Sequence, residues 1–167
     1  MVTADPTAPS KPNVVAQSST DQTDYRFPLL IADEGSFQEL DVSVKFKAVS
    51  GNTDRAGGLV FRLKDPNNYY IVRANALENN YRLYHVVNGR RSQLAGANSK
   101  VTSGEWHELR VEAAGNKITC YFDGSKKIEA TDTRQPQGYL APSVPCPTEF
   151  VGVWGLRTAE ARWPLSA

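Results

Sequence analysis

Between Leu40 and Ala48 the chain alternates without a break: Leu40, Val42, Val44, Phe46 and Ala48 take one parity, and Asp41, Ser43, Lys45 and Lys47 take the other. Period two is the repeat of an extended strand and puts each set on its own face of a sheet, whereas a helix would spread both sets around its axis. A sheet with one apolar face needs a second layer to cover it. This segment therefore commits the chain to packed β-structure.

The same reading extends in both directions. GGLVFRLK places Leu59, Phe61 and Leu63 on one face and Val60, Arg62 and Lys64 on the other, and DPNN supplies turn chemistry after it. NYYIVRANA separates Tyr69, Ile71, Arg73 and Asn75 from Tyr70, Val72 and Ala74. ALENN interrupts before YRLYHVV, and Asn88-Gly89 is a hairpin signal leading into RRSQLAG. WHELRVEA, KITCYFDG and KKIEATD read as three further strands, the first two joined at Gly115-Asn116. Upstream, Pro28 inside YRFPLLI predicts an edge strand or a bulge, because proline cannot donate to a ladder. A short strand is expected over Asn13 to Gln17, preceded by a flexible arm over 1–12 with three prolines. No window sustains helical periodicity. Short strands punctuated by Gly, Asn, Asp and Pro predict an all-β sandwich or jelly roll of two antiparallel sheets over 13–154, followed by an atypical tail over 155–167.

Charge and length narrow the function. A chain of 167 residues fits one domain, and its net charge of +1, with no Lys or Arg run longer than a pair, carries no footprint for nucleic acid or anionic lipid. No apolar stretch approaches the roughly 20 residues that span a bilayer, and the N-terminus lacks the charged-then-apolar order of a secretory signal. Charge leaves a neutral polar ligand, a carbohydrate included, open as the partner. Cys120, alternating with Ile118 and Phe122, reads as a buried strand thiol, while Cys146 lies in a Pro-rich segment. Two cysteines with only His85 and His107 make a poor zinc set, and a Cys120–Cys146 disulfide is left open. Both histidines read as surface or cross-strand residues.

The run AGGLVFRLKDPNNYYIVRANALENNYRLYHVVNGRR, with SGEWHELRVEAAGNKITCYFDGSKKIEATD after it, resembles bacterial laminin-G-like and concanavalin-A-like jelly rolls. It is most similar to domains of the 3-keto-disaccharide hydrolase type, also described as family 16 glycosidase-like. The shared features are the G-L-V-F-R, N-Y-Y and W-H-x-L-R-V strands, the N-G hairpin and the C-Y-F-D-G turn, within about residues 13–133. The resemblance implies a concanavalin-A-like fold, a periplasmic or secreted setting and an activity on glycosides or 3-keto-sugars. The tail departs from the pattern: FVGVW can stand for the penultimate strand, but the last strand is expected to be missing. An incomplete sheet leaves edges unpaired, which predicts a homodimer or an exchanged terminal segment.

Catalytic signals are weak. A common glycosidase needs two carboxylates flanking the scissile bond, which laminarinase-like jelly rolls carry as E-x-D-x-E or E-x-D-x-x-E, and neither motif occurs. Glu108 and Glu112 share one strand face and read as solvated, and there is no G-x-S-x-G elbow. The reading therefore leans away from an enzyme. No cofactor is expected, although Asp21 with Asp24, or Asp65 with Asn67 and Asn68, could offer oxygens to calcium; turn formation accounts for both groups. For binding, Arg62, Arg73 and Asn75 on neighbouring strands, with Tyr69, would line a groove in which arginine and asparagine bond hydroxyls and rings stack on sugar. Trp154 and Trp106 are candidate platforms. The competing reading is a solvated sheet face with the tryptophans in the core. Function is thus expected to be a non-catalytic carbohydrate-binding or recognition module, with a hydrolase-like enzyme and a protein-interaction or structural module as alternatives.

Overall fold

The alternation over 40–48 becomes strand β4 (Leu40–Ala48), whose Phe46 and Ala48 are buried while Leu40, Val42 and Val44 pack on the same core. The computed structural model describes residues 1–9, 13–18, 28–30, 39–134, 153–155 and 161–164, the last two segments as backbone. The earlier strands are β1 (Val2–Ala4), β2 (Asn13–Gln17) and β3 (Leu29–Leu30). The central ones are β5 (Ala56–Asp65), β6 (Asn68–Asn75), β7 (Asn80–Val87) and β8 (Arg90–Asn98). Then come β9 (Trp106–Ala114), β10 (Lys117–Phe122), β11 (Ser125–Thr131), β12 (Val153–Gly155) and β13 (Ala161–Pro164). They form two antiparallel sheets, ordered β1-β2-β13-β4-β9-β10-β11 and β3-β12-β5-β6-β7-β8. The fold is an all-β jelly-roll sandwich.

The core lies between the sheets. Phe46, Leu109, Val111, Ile118, Cys120 and Phe122 fill it from one sheet, and Leu59, Phe61, Tyr70, Val72, Tyr81 and Leu83 from the other. Each aliphatic or phenylalanine side chain among them, removed fully from water, contributes about 1.5–3 kcal/mol. Burial pushes the Cys120 thiol up to about 12, so it behaves as a small apolar side chain. Cys146 lies outside the described residues. The hairpin at Asn88-Gly89 takes left-handed φ values of 49° and 75°, the geometry of a type I′ turn.

Several expectations are corrected. Part of the segment expected as an arm is strand β1, paired with β2, and Asp5 and Ala8 are buried. The last strand, expected to be missing, is β13, which lies between β2 and β4. Leu63 does not share a face with Phe61: residues 62–64 bulge opposite the single Tyr69, and Leu63 joins Val60 and Ile71 on the outer side. Arg62 takes up the distortion with φ 49°. Lys47, assigned to the solvated face, is only 9% exposed because the N-terminal segment covers it. His85 and His107 do lie across from partners, Tyr70 and Phe46, but both are buried rather than at the surface. The edge position expected for Pro28's strand holds at Leu29–Leu30.

Candidate functional site

Strand β6 has two faces, and its outer one carries Tyr69, Ile71, Arg73 and Asn75, as the alternation predicts. Register sets Arg73 opposite Arg82, Ile71 opposite Tyr84 and Asn75 opposite Asn80 on β7. Val60, Tyr69, Ile71 and Val86 form an apolar floor on this side of the six-stranded sheet, with Tyr84 packed against it. Beside that floor lies a polar cluster centred on Arg73.

The Arg73 side chain is 6% exposed. Its Nη2 donates to Glu78 Oε2 at 2.7 Å and to Asn80 Oδ1 at 3.1 Å, and its Nη1 lies 3.7 Å from Asp54 Oδ2. Its Nε is buried and meets no acceptor among the described residues. An arginine held by one edge with a donor left over presents a fixed hydrogen-bonding direction. Asn80 Nδ2 also donates to Glu78 Oε2, at 2.6 Å. That oxygen takes two donors while the Glu78 side chain remains 55% exposed. Burial works against the Glu78 charge, but the Asn80 amide and the Arg73 guanidinium outweigh it and hold the carboxyl below its ordinary range. Asp54 shifts the other way: burial raises it, against the pull of Arg73.

Asn75 plays a different part from the one expected. It is 1% exposed; its Nδ2 donates to Asp54 Oδ1 at 2.6 Å, and its Oδ1 accepts from the Leu77 and Glu78 N–H groups at 2.8 and 3.3 Å. Its amide ties the loop before β5 to the turn before β7 and so sets the two acids around Arg73. Tyr84 is flanked by guanidinium groups, Arg91 at 4.6 Å and Arg73 at 5.8 Å from the ring centroid. Tyr69 is on the same face, its phenol pushed up by burial against the nearby charge of Arg91.

Of the residues expected to converge, Arg73, Asn75 and Tyr69 share this face. Arg62 does not join them: at the bulge its Nη2 donates to the Gly115 carbonyl at 2.8 Å, in the turn between β9 and β10 of the opposite sheet. The backbone of Trp154 pairs with Gly58, which pairs with Arg73, so its register lies in the Arg73 row. Trp106 is elsewhere, on the other sheet, donating its indole N–H to Thr7 Oγ1 at 3.2 Å under the Lys47 ammonium. Asp54, Glu78, Asn80, Tyr84 and Arg91 escaped sequence reasoning. Arg82 and Tyr84 were legible in the alternation of YRLYHVV, but Asp54 and Glu78 sit in loops where periodicity carries no direction.

Among the described residues there is no group of three or more His, Cys, Asp or Glu side chains able to hold a metal. The Asp65 carboxylate accepts from Asn67 N–H and from the Asn68 amide at 2.8 and 2.9 Å, closing its own turn. Asp21 and Asp24 lie outside the described residues. Glu108 and Glu112 are half-buried on the outer face of the seven-stranded sheet, and Glu112 accepts from Tyr121 Oη at 2.8 Å.

The model of the 3-keto-alpha-glucoside-1,2-lyase-like domain matches residues 6–162. A levanase of Bacillus subtilis is 28% identical over 107 residues, 64% of this chain and 15% of the levanase, so the chain spans a small part of that relative. Among solved structures, the carbohydrate binding module CBM66 from Bacillus subtilis superimposes with a TM-score of 0.66 at 20% identity, over 90% of this chain and 91% of the module. The Caenorhabditis elegans galectin LEC-6 gives 0.51 at 10% identity, over 81% and 88% of the two chains. Both superpositions bear on the fold.

Proposed function

The chain belongs to the 3-keto-alpha-glucoside-1,2-lyase-like domain family, and from that premise we propose that it is a carbohydrate-binding module whose ligand lies against Arg73 on the outer face of the six-stranded sheet. The observation that carries the reading is a nearly buried arginine with an unspent Nε donor, next to a partly exposed carboxylate held ionised. Donor and acceptor side by side match adjacent sugar hydroxyls, each of which both gives and takes a hydrogen bond. Glu78 accepts, Arg73 donates, and Tyr84 with its flanking Arg91 forms a wall; Asn75 positions rather than touches. Tyr69 lines the floor. The names of the levanase and of the binding module supply the first ligands to try, levan among them.

Isothermal titration against levan, galactosides and glucosides tests the reading. One of them should bind, and R73A should weaken that ligand at least about tenfold, the loss of one or two charge-assisted hydrogen bonds. D41A, which touches only the Arg110 network of the other sheet, should bind as the wild type does. Equal affinities for R73A and wild type would remove the site from this face.

The family's description and the opposed shifts of Asp54 and Glu78 favour one second reading, an enzyme acting on 3-keto-glucosides with these two acids in proton transfer. Turnover of a 3-keto-disaccharide panel, lost in E78Q, would establish it. The homodimer through the terminal edges β1, β11, β3 and β8 belongs to the same proposal, and light scattering at high concentration decides it.

A further inference from the structure

Away from the ligand face, one end of the sandwich interior gathers ionisable groups that the proposed function leaves unused. Tyr70 on β6 and His85 on β7 are register partners, with rings stacked at 4.4 Å and 8°. They are 0% and 3% exposed. Both direct polar atoms toward Asp132, which follows β11 and is 4% exposed. His85 Nδ1 stands 3.7 Å from Asp132 Oδ2, too far for a hydrogen bond. Tyr70 Oη and His85 Nδ1 are both buried, and neither makes a close, well-aligned hydrogen bond to a described residue; the Asp132 carboxylate is near enough to Tyr70 Oη to help retain its proton without closing such a bond. Asp132 is anchored from the other side: its Oδ1 accepts from Arg134 N and Nε at 2.9 and 3.0 Å, its Oδ2 from Nη2 at 3.2 Å, and its N–H donates to the Asn116 carbonyl at 2.9 Å.

Folded proteins seldom leave such groups unmet, and where protein atoms do not reach, a bound water making about three hydrogen bonds does. We propose that Tyr70 Oη, His85 Nδ1 and Asp132 Oδ2 form an internal binding site for one water molecule. The 3.7 Å between His85 and Asp132 is too long for direct bonding and short enough for one water to bridge. That water accepts from one ring donor and gives its own protons to the carboxylate and the second ring. The electrostatics favour a neutral occupant. Burial, with the Asp132 charge behind it, holds the Tyr70 phenol at about 12, and burial keeps His85 below its ordinary value against the pull of Asp132. The carboxylate is already paired with Arg134, and the Arg62 charge also acts on Tyr70, so a cation would meet two guanidinium groups.

A crystal structure of the full chain at about 1.5 Å tests the site. The expected result is a single density peak about 2.6–3.2 Å from all three atoms, lost or displaced in Y70F. Water-edited NMR on the wild type gives a second readout, a long-lived water signal on the Tyr70 or His85 ring. A direct bond from either ring to Asp132 with no peak between them would overturn the proposal. So would a peak with distances near 2.4 Å and more than four oxygen neighbours, which would be a metal ion.

Discussion

Lys47 shows how one residue can keep the face its strand assigns to it and still lose its exposure. Alternation puts it on the outer side of β4, but its ammonium bonds Asp5 and, at 2.9 Å, Thr7 Oγ1, and lies 5.1 Å above the Trp106 ring. Burial opposes the Asp5 charge, yet the bonds from Lys47 and Thr7 prevail and hold that carboxyl well below the usual range. D5A should cost about 3 kcal/mol in urea unfolding, since it leaves a buried ammonium unpaired. A depressed carboxyl stabilises above its unfolded value near 3.8 and loses that stabilisation as pH falls through its folded value, so the deficit of D5A should shrink in strong acid. His85 has proton linkage of the same sign, in a higher pH window. Burial depresses its folded value below 6.5, against the attraction of Asp132 and with the help of Arg134, so the unfolded chain binds the proton more readily. Stability should therefore fall as pH drops below about 6.5, and H85F, which keeps a ring on Tyr70, should flatten that part of a melting-temperature profile.

At the scale of elements, the bulge in β5 decides more than any single contact. It turns Arg62 away from the ligand face and Leu63 toward it, and no hydropathy pattern announces it, because Arg-Leu-Lys after Phe61 continues the alternation that the backbone abandons. The approach of β4 to β5 depends on a missing side chain: a Cβ on Gly57 would stand 2.5 Å from Phe46 Cδ2, an aromatic ring buried in the core. G57A should thus destabilise by about 1–3 kcal/mol, read from the midpoint of urea unfolding at unchanged slope. Tyr70, Val72 and Ala74 inward against Tyr69, Ile71, Arg73 and Asn75 outward was fully legible, since nothing in β6 breaks its period.

For the molecule as a whole, β13 completes the seven-stranded sheet. Its backbone pairs with β2 from Ala161↔Gln17 to Pro164↔Val14 and with β4 at Ala161↔Ala48. Removing residues 161–167 would leave β2 and β4 with facing unpaired edges. The truncated chain should melt lower and self-associate with rising concentration, visible by light scattering, while the intact chain is the reference. Proline, arginine and alanine around ARWP hide this strand from pattern reading, because its residues answer to its neighbours and not to a period of their own.

The residues alone determined that the chain is a two-layer β-sandwich and which face of β4 and β6 each side chain takes, because strand burial has a period that hydropathy records. Only tertiary structure decided the rest: that Asp54 and Glu78 come from separate loops to hold Arg73, that Asn75 braces them, and that Asp132 meets Tyr70 and His85. Those groups are brought together by loops and by pairing between distant strands. Such meetings depend on where the backbone turns, and composition along a line has no term for that.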